Sequence, residues 1–289
     1  MKFGVLGGSG IYDLEGLSNQ KSQLIPTPFG DPSDPVITGE IGGCEVAFIP
    51  RHGKGHRLLP SEINYRANVW AMKSLGVTHL ISVSAVGSLK EEIEPGHIVI
   101  PDQFIDRTKD RPSTFFGEGV VAHPQFGKPV CGELSEAIYQ AAQKLNITSH
   151  KGGTYICMEG PIFSTQAESY MYRDLGASII GMTNLQEAKL AREAEMCFAT
   201  IALSTDYDCW HEEEVTLEAV LAIMKENVIH SKAILVELFK TFKAETNPVC
   251  SDQSSLAFAI MTDPAVIPVK TKQKLDLIIG KHINKETNK

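Results

Sequence analysis

Short apolar runs alternate with helical patterns along nearly the whole chain, and no other feature restricts its fold as much. Strands are expected at Phe3–Leu6, Glu45–Pro50, His79–Ser84, Ile98–Ile105, Gly153–Met158, Ser178–Met182 and Cys197–Ser204. Helices are expected at Ser61–Leu75, Glu133–Leu145, Thr165–Leu175, Leu185–Glu195, Leu217–Lys243 and Lys270–His282. This alternation points to a sheet covered by helices on both faces. The spans Met158 to Ser178 and Met182 to Cys197 each hold one helix, and such crossovers normally bring parallel neighbours. The expected fold class is α/β: one three-layer domain over residues 1–289, with a central mixed, largely parallel sheet flanked by helices.

Two segments interrupt the pattern. Arg107–Pro129 is rich in Gly, Pro and Phe and has little periodicity. It reads as a long loop, and loops of that length in a compact domain usually carry function or contacts. A second break lies at Ala244–Ser255. From about residue 245 the chain reads as a C-terminal helical extension, entered at Asp263-Pro264.

With 43% hydrophobic and 21% charged residues, a chain of 289 residues can bury a full core. The net charge of −8 argues against nucleic acid as a partner, because polyanion binders carry a basic face. A small anion in a local pocket is compatible with it. No apolar run approaches the roughly 18 residues of a membrane span. Met1–Gly8 is too short and glycine-rich for a signal peptide, so a cytoplasmic location is expected. Cys44, Cys131, Cys157, Cys197, Cys209 and Cys250 form no C-x-x-C pair. They read as reduced thiols of a cytoplasmic protein, with pairing between distant cysteines left open.

Four donor-rich segments each follow an expected strand. Gly7-Gly8-Ser9-Gly10 can converge backbone N–H groups and a hydroxyl on an anion, although alone it is an ordinary tight turn. Its spacing is not that of a dinucleotide fingerprint. In Arg51-His52-Gly53-Lys54-Gly55-His56 a guanidinium can grip phosphate oxygens, His52 can donate a further bond and His56 can face a sugar. Two histidines four apart suggest a metal on a helix, but two glycines between them argue against the helix and no third ligand is evident. Ser84-Ala85-Val86-Gly87-Ser88 ends the third strand. Thr183 precedes a helix, where either Thr183 with Gln186 or Asn184 with Glu187 fits a capping box. The functional reading puts Thr183 at a helix N-terminus that favours anions.

The run Cys197–Leu203 is followed by Ser204-Thr205-Asp206-Tyr207-Asp208-Cys209-Trp210. Ligand sites in open α/β sheets lie at the carboxyl ends of strands. Two carboxylates there, among apolar neighbours, need hydrogen-bonding partners, and an aminopurine can supply them. The bland alternative is a solvated loop.

Taken together, these residues resemble the 5′-methylthioadenosine phosphorylases, within the trimeric branch of the purine nucleoside phosphorylases. The resemblance is carried by Gly4–Gly10, Thr27-Pro28-Phe29-Gly30, Arg51-His52-Gly53, Asn64-Tyr65-Arg66-Ala67-Asn68, Asp102–Thr108, Glu159-Gly160-Pro161, Met182-Thr183 and Thr205–Trp210. It implies phosphorolysis of 5′-methylthioadenosine to adenine and 5-methylthioribose 1-phosphate, with inorganic phosphate as co-substrate and neither cofactor nor metal. It implies a phosphate site of Ser9, Arg51, His52, Ser84, Ala85 (through its backbone) and Thr183. Met182 would lie along the ribose, and Phe163, Ser164, Asp206 and Asp208 around the base. Leu217 and Val220 would wall the methylthio pocket. His123 resembles a residue inserted toward a neighbour's site, which implies a homotrimer or a dimer of trimers. Ser9 and Ser84 stand where the family commonly has threonine, and both keep the hydroxyl.

Cleavage builds positive charge on the sugar and negative charge on the base. Phosphate beside the anomeric carbon captures the cation, and a neutral Asp206, sharing a proton with Asp208, serves base N7. The alternatives are a 6-oxopurine nucleoside or methylthioinosine phosphorylase, a nucleosidase using water, and a non-enzymatic nucleotide-binding module. Phosphorylases of 6-oxopurines typically have Asn near Asp206 and Glu where Ser164 stands.

Overall fold

The computed structural model describes residues 1–8, 11, 14–211, 217–242 and 250–283. Their strands are β1 (Lys2–Gly7), β2 (Ser18–Gln23), β3 (Val36–Ile41), β4 (Cys44–Pro50), β5 (His79–Ser88), β6 (Ile98–Ile100), β7 (Gln103–Arg107), β8 (Ser149–Lys151), β9 (Thr154–Met158), β10 (Ile179–Gly181) and β11 (Cys197–Tyr207). The helices are α1 (Tyr65–Ser74), α2 (Gly132–Lys144), α3 (Gln166–Asp174), α4 (Asn184–Glu193), α5 (Leu217–Thr241) and α6 (Val269–Ile283).

One mixed sheet runs β2-β3-β4-β1-β5-β10-β9-β7, and β11 branches from β5 to reach β6 and then β8. The β1–β4, β1–β5, β5–β11, β9–β10, β7–β9 and β6–β8 pairings are parallel. Successive side chains on a strand face opposite sides. On β11, Ala199, Ile201 and Leu203 therefore join the core beneath α2 and α5, while Phe198 joins the core beneath α1, α4 and α6. The three-layer α/β arrangement follows from strands that are apolar on both faces.

Three expectations change. The helix between Met182 and Cys197 does not join neighbouring strands: β10 pairs antiparallel with β5, and β5 stands between β10 and β11. Ile98–Ile105 is two strands, because Pro101 has no N–H for a ladder; β6 pairs with β11 and β7 with β9. Asp263 caps a turn of its own, accepting from the N–H of Ala265 at 2.8 Å, and α6 starts later, after Pro268.

The long loop is tied down on several sides. Thr114 Oγ1 and the Phe115 N–H both bond Glu193 at 2.7 Å, and Arg192 donates to the Gln125 and Lys128 carbonyls. Ala122 bridges Ile260. The motif Asn64–Asn68 is also explained by scaffolding: Asn64 caps α1 through the Ala67 N–H and donates to Phe29 O at 2.7 Å, fixing the Thr27–Gly30 turn.

Candidate active site

A cavity of about 720 Å³ opens where β1, β4, β5, β9, β10 and β11 end. It brings together Arg51, His52, His56, Ser84, Ala85, Phe163, Met182, Thr183, Asp206 and Asp208, all singled out from the sequence. Ser164 and His123 do not line it. Ser164 lies behind, its carbonyl accepting from Cys209 Sγ at 3.3 Å. His123 is exposed, and its backbone N–H donates to Ala259 O at 2.8 Å. Ser9 lies outside the described residues, as do the side chains of Leu217 and Val220. Gly8, the residue before Ser9 in the sequence, lines the cavity. Leu221, Met224 and Val228 of α5 form an apolar wall, with Leu221 one turn after Leu217 and Met224 one turn after Val220.

A β-bulge aims the first carboxylate. β11 follows β5 in register to Ser204 opposite Val86, and the next pair is Asp206 opposite Gly87. Thr205 is the extra residue, and such an insertion re-aims the side chain after it. Burial raises the Asp206 pKa and the charge of Asp208 raises it further, while the Thr205 hydroxyl, 2.5 Å from Oδ1, works the other way. Burial likewise raises Asp208, whose Oδ2 is enclosed without a hydrogen-bond partner. Among the described residues no hydrogen bond links the two carboxyl groups, and both residues line the cavity. Both acids favour the neutral form more than an exposed carboxyl does.

On the opposite wall, Thr183 precedes α4 but makes no side-chain cap bond. Neither capping box forms. Gln186 turns to Thr108 and Arg111, and Glu187 turns to Arg51. The Thr183 hydroxyl is thereby left to the cavity.

The expected phosphate grip of Arg51 is rearranged. Its Nε and Nη2 engage the two oxygens of Glu187, Nη2 at 2.9 Å from Oε2. Nη2 also reaches Leu6 O and Ser82 Oγ, and Nη1 donates to Val83 O at 3.0 Å. Burial opposes the guanidinium charge, but Glu187 outweighs it and holds Arg51 above its ordinary value. His52 also changes role. Its Nδ1 lies 2.8 Å from Leu58 O, and a carbonyl only accepts, so Nδ1 carries the proton. Burial pushes the ring down to about 4, so at neutral pH Nε2 is an acceptor rather than the expected donor. The ring stacks on His56 at 4.1 Å, which is packing rather than metal ligation.

Sequence reasoning missed Glu187 as a buried partner, having weighed it only as a cap. It also missed Arg111, from the long loop. Arg111 donates to the carbonyls of Met182 and Glu159 and pairs with the Glu159 carboxylate at 3.1 Å. It thus clamps two segments that border the cavity. Gly160 in one of them has φ +69°, and a Cβ there would come within 2.5 Å of Met182 Sδ. That close approach explains the glycine in Glu159-Gly160-Pro161. Among the described residues, the group able to converge on a metal is Cys131, Cys197 and Cys250, with sulphurs within 4.8 Å of one another. Cys197 opens β11, at the end opposite Asp206.

The Phosphorylase superfamily matches residues 2–240, and the chain belongs to that family. Within it, the S-methyl-5′-thioadenosine phosphorylase of Geobacter sulfurreducens is 59% identical, covering 97% of this chain and 98% of its own. The enzyme of that name from Koribacter versatilis is 52% identical over 99% of this chain and 98% of its own. Among solved structures, a methylthioadenosine phosphorylase from an antarctic soil metagenomic library superposes with a TM-score of 0.93 at 44% identity, covering 96% and 98% of the two chains. The Schistosoma mansoni methylthioadenosine phosphorylase in complex with adenine gives 0.79 at 38%, covering 83% and 91%.

Proposed function

We infer that this protein cleaves 5′-methylthioadenosine with inorganic phosphate, releasing adenine and 5-methylthioribose 1-phosphate. One observation carries the reading: a single cavity joins anion donors at Ser84, Ala85 and Thr183 to two acids with raised pKa values, the half-buried Asp206 and the buried Asp208. The relatives' names supply the nucleoside. They do not favour the 6-oxopurine alternative.

Phosphate sits against Ser9, Ser84, the Ala85 N–H, Thr183 and the free edge of Arg51. Its own hydroxyl donates to Nε2 of His52. Met182 and His56 border the ribose, and Phe163, at the mouth, borders the base with Ser164 behind it. Neutral Asp206 gives a proton, or a hydrogen bond, to N7 as negative charge develops on adenine. Asp208 supports it. The methylthio group lies against the α5 wall, where Leu217 and Val220 precede Leu221, and an apolar wall prefers an apolar substituent. Neither metal nor cofactor enters this scheme. Adenine release, measured with and without phosphate, tests it: release at an equal rate in phosphate-free buffer defeats phosphorolysis.

We assign the reaction to methionine and purine salvage in the cytoplasm, where six unpaired cysteines are at home. Among the described residues no helix is long and apolar enough to cross a membrane. The outward-facing His123 supports a homotrimer with sites completed by a neighbour. Sedimentation at assay concentration tests it, and a fully active monomer refutes it.

A further inference from the structure

We propose that Glu187 is a positioning residue of the phosphate subsite: it fixes the Arg51 guanidinium in one orientation, cancels its charge, and leaves a single N–H edge for the oxyanion. This rests on the phosphorolysis reading above. An unrestrained arginine meets a tetrahedral oxyanion with two parallel N–H bonds. Here that fork is spent on a carboxylate. Nε and one Nη2 bond go to Glu187, the rest of Nη2 to Leu6 O and Ser82 Oγ, and one Nη1 hydrogen to Val83 O. One Nη1 hydrogen is then left, on a residue that lines the cavity.

A buried chain of polar groups stands behind the pair. Ser82 Oγ lies 2.6 Å from both Glu187 Oε2 and Arg51 Nη2, and it accepts from Asn184 Nδ2 at 3.0 Å. Thr200 Oγ1 in turn donates to Asn184 Oδ1 at 2.9 Å. Ser82, Asn184, Glu187 and Thr200 are fully buried, and Arg51 is 2% exposed. These groups come from β5, α4 and β11 and from the end of β4, so the elements that form the cavity also fix the guanidinium. A buried hydrogen-bonded network of this kind is rigid, and losing either Arg51 or Glu187 strands the charge of the other.

The pair has no formal net charge, and His52 beside it is neutral at pH 7. Phosphate therefore meets directed dipoles and hydroxyls rather than a surplus of positive charge. A site of that kind places its ligand, whereas a bare cation mainly deepens the ground-state complex. Glu187 does not line the cavity, so its effect passes through Arg51.

Glu187→Gln keeps the shape but turns one acceptor into a donor facing Nη2. Misplacing a reactant by about an ångström can cost on the order of 100-fold in rate. A fall of about tenfold or more in kcat/KM for phosphate is expected, with the nucleoside KM within about twofold of the parent. A purely structural role would lower thermal stability without separating the two substrates. Ser82→Ala leaves both charges in place and should lower the same phosphate constant by about two- to fivefold. It decides the matter if Glu187→Gln does not fold. A phosphate kcat/KM equal to the parent's in folded Glu187→Gln, or failing that in Ser82→Ala, overturns the proposal. If the parent protein itself releases adenine without phosphate, the functional reading has failed instead.

Discussion

The two ends of β11 bury reactive side chains in different ways. At its start, Cys197 meets Cys131 and Cys250, and pairs in register with His79 of β5. Phe3 and Phe242 pack on the imidazole at 5.4 and 5.2 Å, and Cys131, Cys197 and Cys250 are all buried. At its far end Asp206 and Asp208 line a cavity, and one carboxylate oxygen has no partner. Neutral thiols are small apolar groups that bury at little cost. Carboxyl groups without partners are expensive, so a fold keeps them where an incoming ligand supplies the missing bonds. Buried chemistry by itself does not mark a site; acids with raised pKa values lining a cavity do.

This contrast makes separable predictions: the far end should govern rate and the near end stability. Asp206→Asn should lower kcat/KM for methylthioadenosine by about 100-fold or more. It should also move the ratio of methylthioadenosine to inosine-type substrates toward the latter, and an unchanged ratio removes Asp206 from base recognition. Burial, with the Asp208 charge adding, raises the Asp206 pKa, so its acid form outlasts that of an ordinary carboxyl. At saturating phosphate, kcat should fall as pH rises through that raised value, and Asp206→Asn should abolish this limb of the profile.

At the near end, burial pushes His79 down to about 4, against about 6.5 for an exposed ring. A lowered folded value means that the unfolded chain binds the proton first as pH falls. Stability is then whole above about pH 6.5 and declines toward pH 4, by about 3 kcal/mol if this ring acts alone. Denaturant titrations across that window should flatten in His79→Phe. The smallest effect belongs to Cys197→Ala, at roughly 1 kcal/mol of stability with kcat unchanged. A large fall in its kcat would join the two ends and break the comparison.

The apolar strands were legible because both of their faces are buried. β2, with the sequence Ser-Asn-Gln-Lys-Ser-Gln, was not, since it is exposed throughout and pairs only at an edge. β8 is three residues long and offers no period to read. At the site, residues that face the cavity from strand ends could be named in advance, because strand ends are where ligands bind. Glu187 could not, since its position in the first turn of α4 fits a cap equally well, and only the packing of α4 on β5 turns it toward Arg51. His52 was found but its polarity was not, because Leu58 O, which sets the tautomer, is a backbone atom of a turn.

One of the chain's two tryptophans sits two positions from Asp208. The Trp210 indole N–H donates to Ser88 O at 2.8 Å, and the Arg173 guanidinium lies 3.5 Å over its ring. Its fluorophore is therefore rigidly mounted next to a residue that lines the cavity, Asp208. Filling that cavity with methylthioadenosine or adenine is then expected to change the intrinsic emission, a readout that needs neither label nor turnover.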